Sequence, residues 1–431
     1  MVSNPGCEAI AKQSQFLTRK TKKLTAGLTL KAYCLASCLH LVSYRQCAIL
    51  IGLLGGFTLS KQGLAKRVSQ TTVKFLSEAL NFLMGQVASS SLPIAHPVLD
   101  YFERVLLQDS TTVALSPWLA PIFPGSSNQS GRTQAQMKIQ AVFDLCRQGW
   151  VNFAITPFTT NDQAASTQSL ELAKKGDLWI RDLGYFVLKA FKALDEIGAF
   201  FLSRLRLDTK IYDTTRKELN LLDLVRNTHR LDLTVLLGAT LRLPIRLVAI
   251  RLPEEVAAQR RRLARQNRDR RLTPSKERME LLGWAIFVTN VTDSKVLSID
   301  TIAELYAIRW RIETIFKAWK RHFKITQVPI DCSLEHLQCL IIGRLTYCVL
   351  FEVVFGKFQW HEARAGRPPN KQALSYLKWA HFFKDFSLGL IFLLDFKFLT
   401  PELLWHQIDY HCRYEKRTDR LNFVQKLLAL G

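Results

Sequence analysis

The sequence predicts a mixed α/β protein: a central α/β core split by a β-rich insertion, between helical N- and C-terminal regions. Three observations carry this. Apolar residues recur at helical spacing through the first hundred positions, and the period shortens to that of strands from about residue 100. Strand and helix patterns then alternate, before a long amphipathic helix opens at Ser298 and the last hundred residues return to helical patterning.

In order along the chain, Ser43–Leu54, Leu59–Ser69 and Gln70–Leu83 read as helices. The Gly55-Gly56-Phe57 turn and the stretch Leu59 to Arg67 suit a helix-turn-helix, with an ordinary helical bundle as the plainer alternative. Arg104–Asp109 reads as a strand continuing through Leu115. Met137–Leu145 and Trp150–Pro157 form two more, joined by a tight turn near Gln148-Gly149. Gln163–Lys174 is helical, Leu178–Asp182 a short strand, and Tyr185–Leu194 helical again. Three strands, a helix, a strand and a helix is the order of the ribonuclease H-like fold.

Strand-like runs follow at Phe200–Leu207, Leu231–Leu237, Ile245–Leu252 and Trp284–Val291, which suggest the β-rich insertion. Within it lies the most basic stretch of the chain: Arg260, Arg261, Arg262, Arg265, Arg268, Arg270, Arg271, Lys276 and Arg278. A solvated face and a DNA contact both explain such a run. The predicted division is 1–98 helical DNA-binding region, 99–199 with 295–330 catalytic core, 200–294 insertion and 331–431 helical region.

Composition narrows the function. Lys and Arg number 59 against 36 Asp and Glu, a net charge of +23 over 431 residues. That surplus favours nucleic acid or an anionic surface as partner. A membrane span needs roughly 18 or more apolar residues without interruption. The run Ala48–Leu59 is shorter and holds Gly52, Gly55 and Gly56, while Cys339–Phe355 contains Arg344 and Glu352. Both are read as buried helices, and no signal peptide is recognised. Nine scattered cysteines without a CxxC pair suit a reducing cytosol and argue against structural zinc. His322 and His336 are read as packing or capping residues.

The helix from Ser298 to about Lys320 concentrates the chemistry. Tyr306, Arg309, Glu313 and Lys320 lie at offsets of three, seven and fourteen residues, which at about 100° per residue makes one narrow stripe, joined by Lys317. Leu305, Ile308, Ile312, Ile315, Phe316 and Trp319 form the adjoining apolar face. One carboxylate among cations and a phenol suits a phosphate held beside a metal. Glu304 falls away from the stripe and is read as solvated.

Tyr306-x2-Arg309-x3-Glu313-x6-Lys320 resembles the Y-R-E-K signature of the insertion-sequence IS-four family of DDE transposases at all four positions and all three spacings. Leu107-Gln108-Asp109-Ser110-Thr111-Thr112 resembles the block around that family's first aspartate, and Ile180 to Tyr185 the D-x-G-Y block around its second. Phe201-Leu202-Ser203-Arg204-Leu205 resembles the strand that follows. The resemblance covers roughly residues 100 to 330.

It implies that Asp109, Asp182 and Glu313 are catalytic and hold two Mg²⁺ or Mn²⁺ ions, for which carboxylate oxygens are suited. Asp182 competes with Asp144, Asp162 and Asp177; it is preferred because it ends its strand and precedes Gly184-Tyr185. The resemblance further implies that Tyr306, Arg309, Lys317, Lys320 and Arg204 contact DNA. It also implies that Trp284 stacks on a flipped base, with a core Trp as the alternative. The expected activity is cleavage of transposon ends and transfer to target DNA, through a hairpin and in a homodimer, in a bacterial cytoplasm with no membrane partner. Another nuclease of the same fold, such as a resolvase, and a transposase-derived DNA-binding protein without catalysis are the rival readings.

Overall fold

A computed structural model of the chain describes residues 4–17, 24–90, 97–127, 133–266, 275–365, 373–393, 405 and 408–413. Five helices open it: α1 Asn4–Gln13, α2 Ala26–Cys38, α3 Tyr44–Gly55, α4 Lys61–Ala65 and α5 Gln70–Ser90. Strands β1 Arg104–Leu115, β2 Pro124–Ser127, β3 Thr133–Asp144 and β4 Gly149–Pro157 follow, then α6 Asp162–Gln168, β5 Asp177–Arg181, α7 Leu188–Ile197 and β6 Phe200–Arg204. Next come β7 Ile211–Tyr212, β8 Glu218–Leu219, α8 Leu221–Arg226, β9 Arg230–Leu237, β10 Leu243–Arg251, α9 Glu254–Arg265, α10 Lys276–Leu281 and β11 Trp284–Thr289. The described chain closes with α11 Ile299–Ile308, α12 Trp310–Arg321, α13 Leu334–Ala365 and α14 Tyr376–Leu393.

The protein is thus mixed α/β, and it divides into two compact units. One comprises residues 1–94, 110–159 and 311–431. Its α3 starts on a reciprocal cap: Ser43 Oγ accepts from Gln46 N–H and Gln46 Oε1 accepts from Ser43 N–H. It ends on Gly56 at φ 68°, a left-handed position that glycine takes without a Cβ clash. The expected helix Leu59–Ser69 is reduced to the five residues of α4, capped by Ser60. Along α5, Thr72, Phe75, Leu76, Ala79, Leu80 and Met84 are buried at helical spacing. That face packs on α13, which also packs on α2. His336 of α13 is wholly buried, stacked on Tyr44 at 3.8 Å between ring centroids and hydrogen-bonded with Val42 O. Burial pulls its pKa down to about 4, so it packs as a neutral ring. The stretch Leu334–Gln359 of α13 is long and apolar enough to cross a membrane, yet it is mostly buried inside the fold. All nine cysteines are free. In the same unit β3 and β4 form the antiparallel hairpin expected around Gln148-Gly149.

The other unit, residues 95–109 and 160–310, is built on one sheet. The first half of β1 pairs in parallel with β5, and β5 in parallel with β6. From β6 the sheet continues antiparallel through β11, β10, β9, β7 and β8. The strands of the expected insertion therefore extend this sheet, since β11 binds β6 edge to edge. They are interrupted by α8, α9 and α10, so the stretch is less purely β than its pattern suggested. Within the basic run, Arg260 to Arg265 lie on α9, Lys276 and Arg278 on α10, and Arg268, Arg270 and Arg271 lie outside the described residues.

The helix expected from Ser298 to Lys320 is two helices. At Arg309 the backbone tightens, its N–H reaching Tyr306 O at 3.1 Å, and α12 starts at the next residue. The dihedrals of Arg309 stay helical (φ −49°, ψ −33°).

Candidate active site

Asp109 and Asp182 are brought together by strand pairing. In the parallel ladder Leu107 faces Ile180 and Gln108 faces Arg181, so the next step along both strands places the two aspartates side by side. Neighbouring strands run about 4.8 Å apart. The ladder is held by buried Val105, Leu106, Leu107, Leu178, Trp179 and Ile180. Asp182 directly follows β5 and opens the short turn Leu183–Tyr185, with extended dihedrals and no cap bond of its own. Its side chain is 43% exposed and that of Asp109 is 18% exposed.

The rival carboxylates are otherwise engaged. Asp177, at the start of β5, takes two hydrogen bonds from Arg104 (2.8 and 2.5 Å) and one from Lys174 N–H, with no exposure. Asp144 accepts from the backbone of Cys146 and Arg147 and from the Arg147 side chain. Asp162 lies in the first turn of α6, with Oδ2 facing Gly184.

Arg309 serves both aspartates. Its guanidinium lies 3.7 Å from Asp109 Oδ2 and 3.6 Å from Asp182 Oδ1, at the break that ends α11. These distances are ion-pair contacts longer than hydrogen bonds. The guanidinium also stands 5.8 Å from the Tyr306 ring centroid and 5.6 Å from that of Trp310. Tyr306 is buried against Phe287 of β11, ring centroids 5.3 Å apart. Burial pushes its hydroxyl up to about 12, while Arg309 and Arg204 pull the other way and Asp182 adds to the rise. That hydroxyl makes no hydrogen bond of good geometry among the described residues; Arg309 beside it has only N–H groups to offer.

Arg204 ends β6 opposite Phe287. Its charge bears on Tyr306 and also on Arg260, whose pKa falls through burial first and Arg204 second. Arg260 donates to the main-chain oxygen of Trp284 at 3.2 Å. The basic run thus delivers one side chain to the site's surroundings, which spacing alone could not single out. Trp284 itself is 8% exposed, opens β11 opposite Arg251, and lines a cleft of about 170 Å³ with Arg226, Arg251 and Arg261.

Glu313, Lys317 and Lys320 belong to α12 in the other unit. Ile312, Ile315, Phe316 and Trp319 are buried, and Trp319 meets Trp150 and Phe153 of β4 at 5.0 and 5.9 Å between centroids. Glu313 stands half-buried in the first turn, and both lysines are exposed. Glu304, expected to be solvated, is half-buried on α11.

Among the described residues no three His, Cys, Asp or Glu side chains are gathered closely enough to hold a metal ion. The aspartate pair still suits a hard cation: both carboxylates are reachable from solvent and offer hard oxygen donors.

Comparison with known proteins gives the family of the chain. The family model described as Transposase DDE domain matches residues 100–349. The chain is 31% identical over 362 residues to the transposase for insertion sequence element IS231C of Bacillus thuringiensis subsp. berliner, covering 78% of this chain and 74% of that one. To the transposase for IS231B of the same organism it is 30% identical over 67% of this chain and 64% of the relative. To the transposase for IS1151 of Clostridium perfringens it is 28% identical over 80% and 76% respectively.

Proposed function

Since this chain belongs to the transposase DDE domain family, we propose that Asp109, Asp182 and Glu313 are the carboxylates with which it cuts and rejoins DNA. The observation that carries this is the pair of aspartates set side by side by the parallel register and sharing Arg309. Turn or surface aspartates have no reason to converge across 73 residues of chain on one buried guanidinium. In this reading the sheet and its flanking helices act as a ribonuclease H-like core, residues 1–98 bind the transposon ends, and 331–431 complete the fold.

The three carboxylates would hold two Mg²⁺ or Mn²⁺ ions, which supply an activated oxygen nucleophile and stabilise the leaving oxygen. The chain's own groups do the positioning. Arg309 can release its long contacts with the aspartates and turn its fork to a phosphate. Tyr306 holds its proton at neutral pH and can donate it as a hydrogen bond to a phosphate oxygen. Lys317 and Lys320, exposed on α12, and Arg204 would grip flanking phosphates. Trp284 would stack on a base drawn from the helix when the end is bent into a hairpin. Two ends must be joined in one complex, which calls for a homodimer on the terminal inverted repeats, working in the cytoplasm.

The test replaces Asp109, Asp182 and Glu313 one at a time by Asn or Gln. Each variant should bind end DNA and melt as the parent does while losing cleavage. Asp177→Asn should instead strip Arg104 of its partner and lower stability by about 3 kcal/mol, with cleavage declining only in step. Near-parental cleavage by Asp182→Asn would move the site to another carboxylate.

A further inference from the structure

The two aspartates stand on a buried polar layer that the reaction does not touch. Gln108 precedes Asp109, Arg181 precedes Asp182, and the two are partners across the parallel ladder. Both are almost fully buried, as are Ser166 and Ser169 beyond them. Arg181 Nη1 donates to Ser166 Oγ at 2.9 Å and Nη2 to Ser169 Oγ at 3.0 Å. Ser169 Oγ can donate in turn to Gln108 Oε1 or to Ser166 O, each at 3.1 Å. Gln108 Nε2 reaches Ala165 O at 3.4 Å, and the guanidinium lies 4.4 Å from the Trp179 ring centroid. Both strand ends are therefore tied to the same piece of chain, α6 and the turn after it.

We propose that Gln108 and Arg181, clamped by Ser166 and Ser169, are positioning residues that hold the two strand ends in register and so set the spacing of Asp109 and Asp182. The inference rests on the reading of those aspartates as catalytic. Stability alone gives little reason for a guanidinium at this place. Its hydrogen-bond acceptors are neutral, and burial pulls its pKa down to about 9. A guanidinium buried among neutral acceptors carries its desolvation cost with no opposite charge to offset it. Directional hydrogen bonds offer what apolar contacts do not, a fixed offset between the strands. Side chains alternate along a strand, so the clamp sits on the face away from the aspartates and leaves theirs open to DNA and cations. A misplacement of about 1 Å in such a site costs roughly a hundredfold in rate.

The experiment uses the full chain and DNA carrying the inverted repeats that flank its gene. Arg181→Met and Gln108→Leu are compared with the parent for melting temperature without metal, end-DNA binding, and nicking as a function of Mn²⁺. The rise in melting temperature that Mn²⁺ alone produces is also read. Both variants should melt within about 3 °C of the parent and bind DNA equally, yet need roughly tenfold more Mn²⁺ for half-maximal nicking. Their Mn²⁺-induced stabilisation should shrink as well, and Arg181→Lys, which keeps the charge but not the fork, should recover only part. Should Arg181→Met not fold, Ser169→Ala removes one hydroxyl of the clamp and should raise the Mn²⁺ requirement about threefold. Unchanged Mn²⁺ dependence in the variants overturns the proposal, and so does lost stability with the Mn²⁺ requirement intact. Asp182→Asn separates the two levels: if it still cuts, the site reading fails, whereas an inactive Asp182→Asn beside a parental Arg181→Met refutes the clamp alone.

Discussion

Replacing Arg309 by Met tests how the aspartate pair is kept together without metal. The substitution keeps most of the side-chain volume beside Tyr306 and Trp310 and removes the charge that lies 3.7 and 3.6 Å from the two carboxylates. Two carboxylates about 5 Å apart repel by about 3 kcal/mol at an effective dielectric of about 20. Asp182 is 43% exposed, so solvent screens part of this. A loss of about 1–3 kcal/mol follows. At about 2–4 °C per kcal/mol for a domain of this size, melting in EDTA should fall by roughly 3–10 °C. The assay is thermal melting of the purified chain in EDTA and then in a few millimolar Mg²⁺. A divalent cation can take over the guanidinium's work, so Mg²⁺ should restore most of the loss in the variant and raise the parent much less. Arg309→Lys should lie between them. Parental melting of Arg309→Met in EDTA would refute the argument, and so would equal stabilisation of parent and variant by Mg²⁺.

Three further outcomes follow from the same geometry. Trp284 is almost buried, so Trp284→Ala should cost about 3–5 kcal/mol; if stacking on DNA is a second role, Trp284→Phe should regain stability and part of hairpin formation, measured against the first nick. Arg262 and Arg265 are exposed on α9, whereas Arg261 is tied to Glu254 and Met279 O. Replacing Arg262 and Arg265 by Ala should flatten the salt dependence of DNA binding by about two units of slope if both touch phosphate, while Arg261→Ala should chiefly lower stability. Glu352 is buried beside the Tyr376 hydroxyl, which donates to it, and desolvation raises its pKa from 4.5 to about 7. Between those values the folded chain keeps a proton that the unfolded chain has released, so this group's contribution to stability declines from about pH 4.5 to 7. Glu352→Gln should therefore melt above the parent at pH 8, with the two curves converging near pH 5.

Short-range pattern carried much of this protein. Apolar spacing placed β1, β3, β4 and the hairpin turn at Gln148, because strand and helix periods are local properties of the chain, while the short β2 was not read from it. The Tyr306, Arg309, Glu313, Lys320 signature was legible for the same reason, all four lying within fifteen positions. The length of α4 and the break at Arg309 were not legible, since both turn on one or two hydrogen bonds whose alternatives differ by little energy. The resemblance and the strand-end position had picked Asp109 and Asp182, but their proximity in space belongs to the tertiary structure alone. Asp109 and Asp182 meet because β1 and β5 pair in parallel, and Asp177 drops out because that same register sets it against Arg104. Arg204 likewise bears on Tyr306, and Arg260 on Arg204, from distant strands and helices. Such pairings depend on contact energies summed over residues far apart in the chain, and no local window contains them.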